Sequence, residues 1–275
     1  MKNLVLRSIS GVVYVALIVA AVILGDKWCF LLTAIFATIG VCELQSIVMI
    51  RRNSLLAHSI ALVDVFTAAF LSWIPLFTNP LETLVYLPVV IIAYFLVRGV
   101  LALYDRRERP FRNVAWSLLS VVYLGVPLMA LNAIYSDGFP GSKWMVLTIF
   151  VMIWLNDTGA YCVGSLLGRH KMFPRLSPKK SWEGFAGGLA FCLLAGWACS
   201  VWFNTFGWQL WQWLIAGAVV CAFSTWGDLF ESLLKRNAGV KDSGNIIPGH
   251  GGILDRIDSL LFVAPAMLLF ILCVD

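Results

Sequence analysis

The chain has 275 residues, of which 60% are hydrophobic and only 13% charged, with a mean hydropathy of +0.87 and a formal net charge of +5. This composition excludes a soluble globular domain and points to helices that cross a bilayer. A membrane β-barrel would show alternating segments of ~10 residues, and none are present.

Nine apolar runs follow one another, at roughly 4–24, 29–50, 55–77, 82–103, 114–135, 144–167, 184–205, 209–234 and 253–274. They predict an all-α, polytopic membrane protein with about nine transmembrane helices, forming one integral membrane domain over residues 1–275. The first run follows Lys2 and Arg7 in the manner of a signal peptide. No small-x-small cleavage site comes after Leu24, so it is read as a helix. Residues 1–113 read as scaffold. Glu43 in the second run and Asp64 in the third are carboxylates within spans, which makes them either functional or partners in helix packing. Arg106, Arg107, Arg109 and Arg112 crowd the loop after the fourth run, as an orientation signal beside anionic lipid. The seven cysteines are scattered without a C-x-x-C pair and read as small packing residues.

Residues 144–275 carry the polar motifs. Asn156 and Asp157 stand near the middle of the sixth run, a depth at which they need a polar partner or a water-filled cavity. Gly164 with Gly168, and Gly184 with Gly188, have the spacing that lets helices approach closely. Between these runs lie Arg169, Lys171, Arg175, Lys179 and Lys180, then Ser181 before a helix start. Fixed cations ahead of a helix N-terminus make a cradle for a triphosphate. Trp208, Trp211 and Trp213 open the eighth run and read as an interfacial belt. From Asp228 to Asp258 the sequence places five acids, five bases counting His250, and five glycines. Asp228 and Glu231 share a helical face, as do Asp255 and Asp258. Carboxylates suit hard cations such as Mg²⁺, and Lys and Arg suit phosphates.

Alternate loops divide the basic residues sharply. One side receives 18 of the 20 Lys and Arg residues, Arg98 among them, and the other receives Lys27 and Lys143. The positive-inside rule then puts the N-terminus and the loops 169–183 and 235–252 in the cytoplasm, and the C-terminus on the far side.

The 27 residues from Ser232 to Asp258 closely resemble the signature of the CDP-diacylglycerol synthases, or phosphatidate cytidylyltransferases. Ser232, Lys235-Arg236, Lys241-Asp242, Pro248, His250-Gly251-Gly252, Asp255-Arg256 and Asp258 match it without departure. Asn156-Asp157-Thr158-Gly159-Ala160-Tyr161 and Ser177-Pro178-Lys179-Lys180-Ser181-Trp182-Glu183-Gly184 resemble the same family. The resemblance is strong over the last four runs and general over the first half.

The resemblance implies a nucleotidyltransferase of phospholipid synthesis, which joins CTP and phosphatidate to give CDP-diacylglycerol and pyrophosphate. Asp228, Asp255 and Asp258 would hold Mg²⁺, with room for a second cation. Lys235 and Arg236 would act at the reacting phosphates. Lys179, Lys180, Ser181, Lys241, Asp242, His250, Gly251, Gly252 and Arg256 would bind substrate, with Asn156 and Asp157 completing the site. The expected partners are CTP, phosphatidate and the lipid bilayer, with a homodimer left open and nucleic acid not expected. The expected location is a bacterial inner membrane, with the active site on its cytoplasmic side. A CDP-alcohol phosphotransferase would carry a D-G-x-x-A-R helix motif, which is absent. A cation-coupled transporter using Asp64, Asp157 and Asp228 would show broken helices in two related halves, and the sequence shows none.

Overall fold

The computed structural model describes residues 2–48, 55–105, 109–136, 141–204, 206–247 and 251–274. Each apolar run becomes one helix: α1 (Lys2–Leu24), α2 (Asp26–Val48), α3 (Leu55–Trp73), α4 (Pro80–Tyr104), α5 (Pro110–Ser136), α6 (Ser142–Leu167), α7 (Trp182–Trp202), α8 (Leu210–Asn237) and α9 (Leu254–Val274). The helices α2 to α9 are long and apolar enough to cross a membrane, and Ile9–Leu24 of α1 is apolar as well. A 20-residue helix covers about 30 Å, the thickness of a bilayer's hydrocarbon core. The departure from an all-α chain is an antiparallel hairpin of β1 (Lys171–Phe173) and β2 (Ser177–Ser181).

The chain forms two compact units. Met1–Asp137 and Asp242–Arg256 make the first, and Gly138–Lys241 and Ile257–Asp275 make the second. In the first, α5 is the central helix, with 67% of its apolar window buried, and α4 is the most exposed to its surroundings, at 11%. Leu71, Ile74, Tyr94, Val121 and Met129 form a core cluster.

Buried polar groups in this unit are tied to one another. The Asp64 carboxylate accepts hydrogen bonds from Gln45 Nε2, Tyr94 OH and Ser117 Oγ, each at 2.6 Å, and lies 3.6 Å from Arg98 Nε. Asp64 and Arg98 are both fully buried. Arg98 is therefore an internal partner of Asp64 within α4 and not one of the loop charges, because a buried carboxylate needs a counter-charge more than the loop needs one cation more. Asn132 Nδ2 likewise reaches Thr33 Oγ1 at 2.8 Å and the Ser72 carbonyl at 2.7 Å.

In the second unit α6 and α7 pack backbone to backbone. A Cβ on Gly187 would lie 2.8 Å from the Gly159 carbonyl oxygen, and one on Gly184 would lie 2.9 Å from that of Ala160. Only glycine fits this seam, as the small-residue spacing predicted. The tryptophans at the start of α8 depart from their expected role. Trp208 and Trp213 are buried, with ring centroids 5.1 Å apart, and Trp208 also meets Phe270 edge-on at 5.5 Å. Trp213 Nε1 donates to Asn204 Oδ1 at 3.1 Å, which satisfies its one polar atom inside the protein. Trp211 alone of the three is exposed.

Candidate active site

The hairpin after α6 is built to hold cations toward α8. Ser181 ends β2 and caps α7, its Oγ accepting from Gly184 N at 3.2 Å. Glu183, in the first turn of α7, folds back on the hairpin base. Its carboxylate accepts from the backbone N–H of Arg169 at 3.2 Å and of His170 at 3.1 Å, and pairs with the His170 ring. An acid in a first helical turn is favoured by the helix dipole, so these contacts fix the strand-to-helix corner. Side chains alternate along β2. Lys179 is exposed, while the next residue, Lys180, is half-buried and turns to α8. Lys180 Nζ lies 2.7 Å from Asp228 Oδ2 and donates to the Thr225 carbonyl at 3.3 Å.

A cavity of about 560 Å³ opens between these elements of the second unit. Asn156, Asp157 and Tyr161 of α6 line it, with Lys171, Lys179, Lys180 and Ser181 of the hairpin and Thr225 and Asp228 of α8. Asn156 is buried, with Nδ2 3.2 Å from Ser224 Oγ and its Oδ1 without a hydrogen-bond partner among the described residues. Asp157 is exposed at the wall. The cavity is thus polar at one end, and Tyr161, Phe185, Met172 and Pro178 add an apolar side.

Beside it, Asp228, Glu231 and Asp258 each offer an oxygen, and these atoms lie within 4.8 Å of one another. Glu231, which shares a helical face with Asp228 at i, i+3, joins the set that the sequence limits to three aspartates. Its carboxylate is buried and pairs with Lys235 Nζ at 2.6 Å, one turn on. Asp258 Oδ1 accepts from Ser259 N at 2.7 Å, and Ser232 Oγ lies 3.4 Å from Asp228 Oδ1. Two lysines, 180 and 235, therefore offset part of the charge of three carboxylates. Oxygen donors this close suit a hard divalent cation, so the residues fit one.

Asp255, expected with Asp228 and Asp258, is not a member of this group. Its Oδ2 accepts from Ser243 N at 3.0 Å and from Gly252 N at 2.8 Å, both in the first unit. The Gly252 amide, expected to face the nucleotide, is thereby engaged inside the loop. Gly251 has φ +82°, a conformation that favours glycine, and its carbonyl accepts from Ile247 N at 2.9 Å. Arg236 reaches the Val240 carbonyl at 3.2 Å, and the Arg256 carbonyl accepts from Tyr14 OH at 3.0 Å. Lys241 and Asp242 are exposed. His250, with Pro248 and Gly249, lies outside the described residues, as do Arg51, Arg52, Arg106 and Arg107.

Comparison with known proteins agrees with this chemistry. Residues 5–274 match the model of the cytidylyltransferase family. A phosphatidate cytidylyltransferase of Staphylococcus haemolyticus is 33% identical over 264 residues, 95% of this chain and 96% of that protein. One from Staphylococcus aureus is 34% identical over 263 residues, with the same coverage of both chains. One from Staphylococcus saprophyticus is 33% identical over 264 residues, again with the same coverage. The match runs through the apolar helices as well as the hairpin and the carboxylates, so this integral membrane protein belongs, over nearly its whole length, to the cytidylyltransferase family.

Proposed function

We propose that the protein transfers the cytidylyl group of CTP to phosphatidate, forming CDP-diacylglycerol and releasing pyrophosphate. The observation that carries this reading is the second unit's cavity, which sets the lysines of a hairpin against the Asp228 group. Two anions have to meet there, and most of the work of such a reaction is positioning and charge neutralisation.

The nucleophile is a phosphate oxygen of phosphatidate, already largely ionised near neutral pH because the second pKa of a phosphate monoester is ~6. No side chain needs to remove a proton, and His250 is given no such role. Lys179, exposed at the cavity rim, binds the distal phosphates of CTP. Lys180 is held in place by Asp228 and the Thr225 carbonyl, and its ammonium meets the phosphates nearer the reacting phosphorus. Asn156 and Asp157, which line the cavity, complete the site from α6. Lys235 holds Glu231 in the orientation that brings it to Asp228 and Asp258. These three acids would hold a divalent cation such as Mg²⁺, and Asp255, the remaining acid of the signature, would serve a second cation. The cation, when bound, supplies positive charge to phosphate oxygens. The acyl chains stay in the bilayer, taken to be a bacterial inner membrane, and the distribution of basic residues supports a cytoplasmic opening.

Purified protein in detergent, given CTP, phosphatidate and Mg²⁺, is expected to release pyrophosphate only when both substrates are present. Release that ignores phosphatidate would overturn the reading.

A further inference from the structure

Glu43 and Asp64 are carboxylates of the spans that the reaction above leaves without a use; Asp64 is matched by buried Arg98 and side-chain donors, whereas Glu43 is held by backbone N–H groups. It lies in the penultimate turn of α2, 5% exposed, in the same unit as residues 242–256. Its Oε1 accepts from Ile253 N at 3.0 Å, and its Oε2 accepts from Leu254 N at 2.9 Å. Ser243 Oγ lies 3.2 Å from Glu43 Oε2 and 2.9 Å from Asp255 Oδ2. Two acids from distant parts of the chain thus share one serine and take up the backbone N–H groups of residues 243, 252, 253 and 254.

This is an N-terminal cap of α9 supplied by another helix. The first N–H groups of a helix have no partner within it, and a negative charge there is favoured by the helix dipole. A local Ser or Asp does this work in most helices. Here the cap reaches across about 210 residues of sequence and closes the loop as well as the helix. The glycines of the loop fit this arrangement. A Cβ on Gly244 would lie 2.6 Å from Glu43 Oε1, and one on Gly252 would collide with the same carboxylate and with Ser243 Oγ. Two glycines of the signature region therefore leave the space that Glu43 fills.

We propose that Glu43 is a positioning residue for the reaction: it fixes Ser243, Ile253 and the first turn of α9, and so fixes the direction in which Asp255 presents its carboxyl group. The helix it caps carries Asp258 one turn further on. Glu43 touches no reacting atom, and its effect passes through Asp255 and the loop backbone. This inference rests on the reading of the signature acids as part of the active site.

The test uses the full-length protein with Glu43→Gln, Glu43→Asp and Gly244→Ala. Glutamine keeps one acceptor oxygen and the shape, but brings an NH₂ toward backbone N–H donors. Glu43→Gln should stay folded in the membrane with a melting temperature close to that of the parent. Its kcat should fall about 10- to 100-fold, as for other misplacements of a catalytic geometry, with KM for CTP changed less than about threefold. Its half-saturating Mg²⁺ concentration should rise. Gly244→Ala should give the same kcat-selective loss, and the double variant should lose less than the product of the two. A purely structural cap would instead lower the amount of folded protein while leaving kcat per folded molecule unchanged, and that outcome overturns the proposal. So does a Glu43→Gln variant with the parent's kcat. Amide exchange at residues 243 and 252–254 is read in parallel. It should accelerate in Glu43→Gln, and unchanged exchange overturns the cap whatever the activity. An inert parent protein, by contrast, overturns the assigned reaction, so the two failures are distinct.

Discussion

At the scale of single residues, the group of Asp228, Glu231 and Asp258 decides between two uses of charge. A salt bridge as exposed as Lys180–Asp228, with side-chain exposures of 24% and 38%, is worth only about 0.2–1 kcal/mol. Asp228→Asn should therefore leave the fold standing. It should still cost at least ~100-fold in pyrophosphate release, because a carboxamide keeps the shape but loses the charge that a hard cation needs. The same is expected of Asp255→Asn, while Asp258→Asn and Glu231→Gln should reduce activity and raise the Mg²⁺ requirement. Activity assays paired with melting curves check this. A variant of Asp228 that works as well as the parent would remove the cation assignment. Sequence alone led to Asp258 through its place in the signature, and to Asp228 as an acid at the end of the span that leads into it. It passed over Glu231 because an acid one turn before Lys235 has the ordinary look of an i, i+4 surface pair, and only burial distinguishes the two.

At the scale of elements, the apolar runs foretold the helices closely, since a hydrophobic stretch of about 20 residues has few alternatives in a bilayer. Two things were not legible. The strands β1 and β2 are three and five residues long, too short to show a periodicity. Trp208 and Trp213 have a composition that suits an interface, and their burial depends on Asn204 and Phe270, which no local pattern links to them. The hairpin carries a prediction of its own. Its strand alternation gives Lys179 and Lys180 different surroundings, so the two single variants should differ. Lys179→Ala should raise the KM for CTP several-fold with little effect on that for phosphatidate, as removal of an exposed phosphate contact does. Lys180→Ala should lower kcat as well, since it also frees Asp228. Steady-state kinetics on both substrates separate these results, and equal effects on both KM values would return the hairpin to a charge that only orients the chain.

At the scale of the whole molecule, the alternation of basic loops and the nine helices lead to one topology. Reporter fusions at 169–183 and 235–252 should report from the cytoplasm, and fusions beside Lys27 and Lys143 from the other side. The reverse result would separate the hairpin lysines from the compartment that holds nucleotides. The removal of Arg98 from the loop charges leaves this expectation in place, because the remaining basic residues of that side still far outnumber two.

The bond between Glu43 and Leu254 spans 211 positions of the chain. A ribosome adding 5–20 residues per second needs about 10–40 s to make that much polypeptide. During this interval the second helix is already made, and its carboxylate waits for a partner that has not been synthesised. The first unit cannot be finished in the order in which it is made. A nascent chain cut short after α5 would carry the Glu43 carboxylate near the end of a span without the backbone N–H groups of residues 253 and 254 that it holds in the finished fold. Assembly of this fold is therefore closed by its last helix, and the same late event that satisfies Glu43 also sets the signature loop.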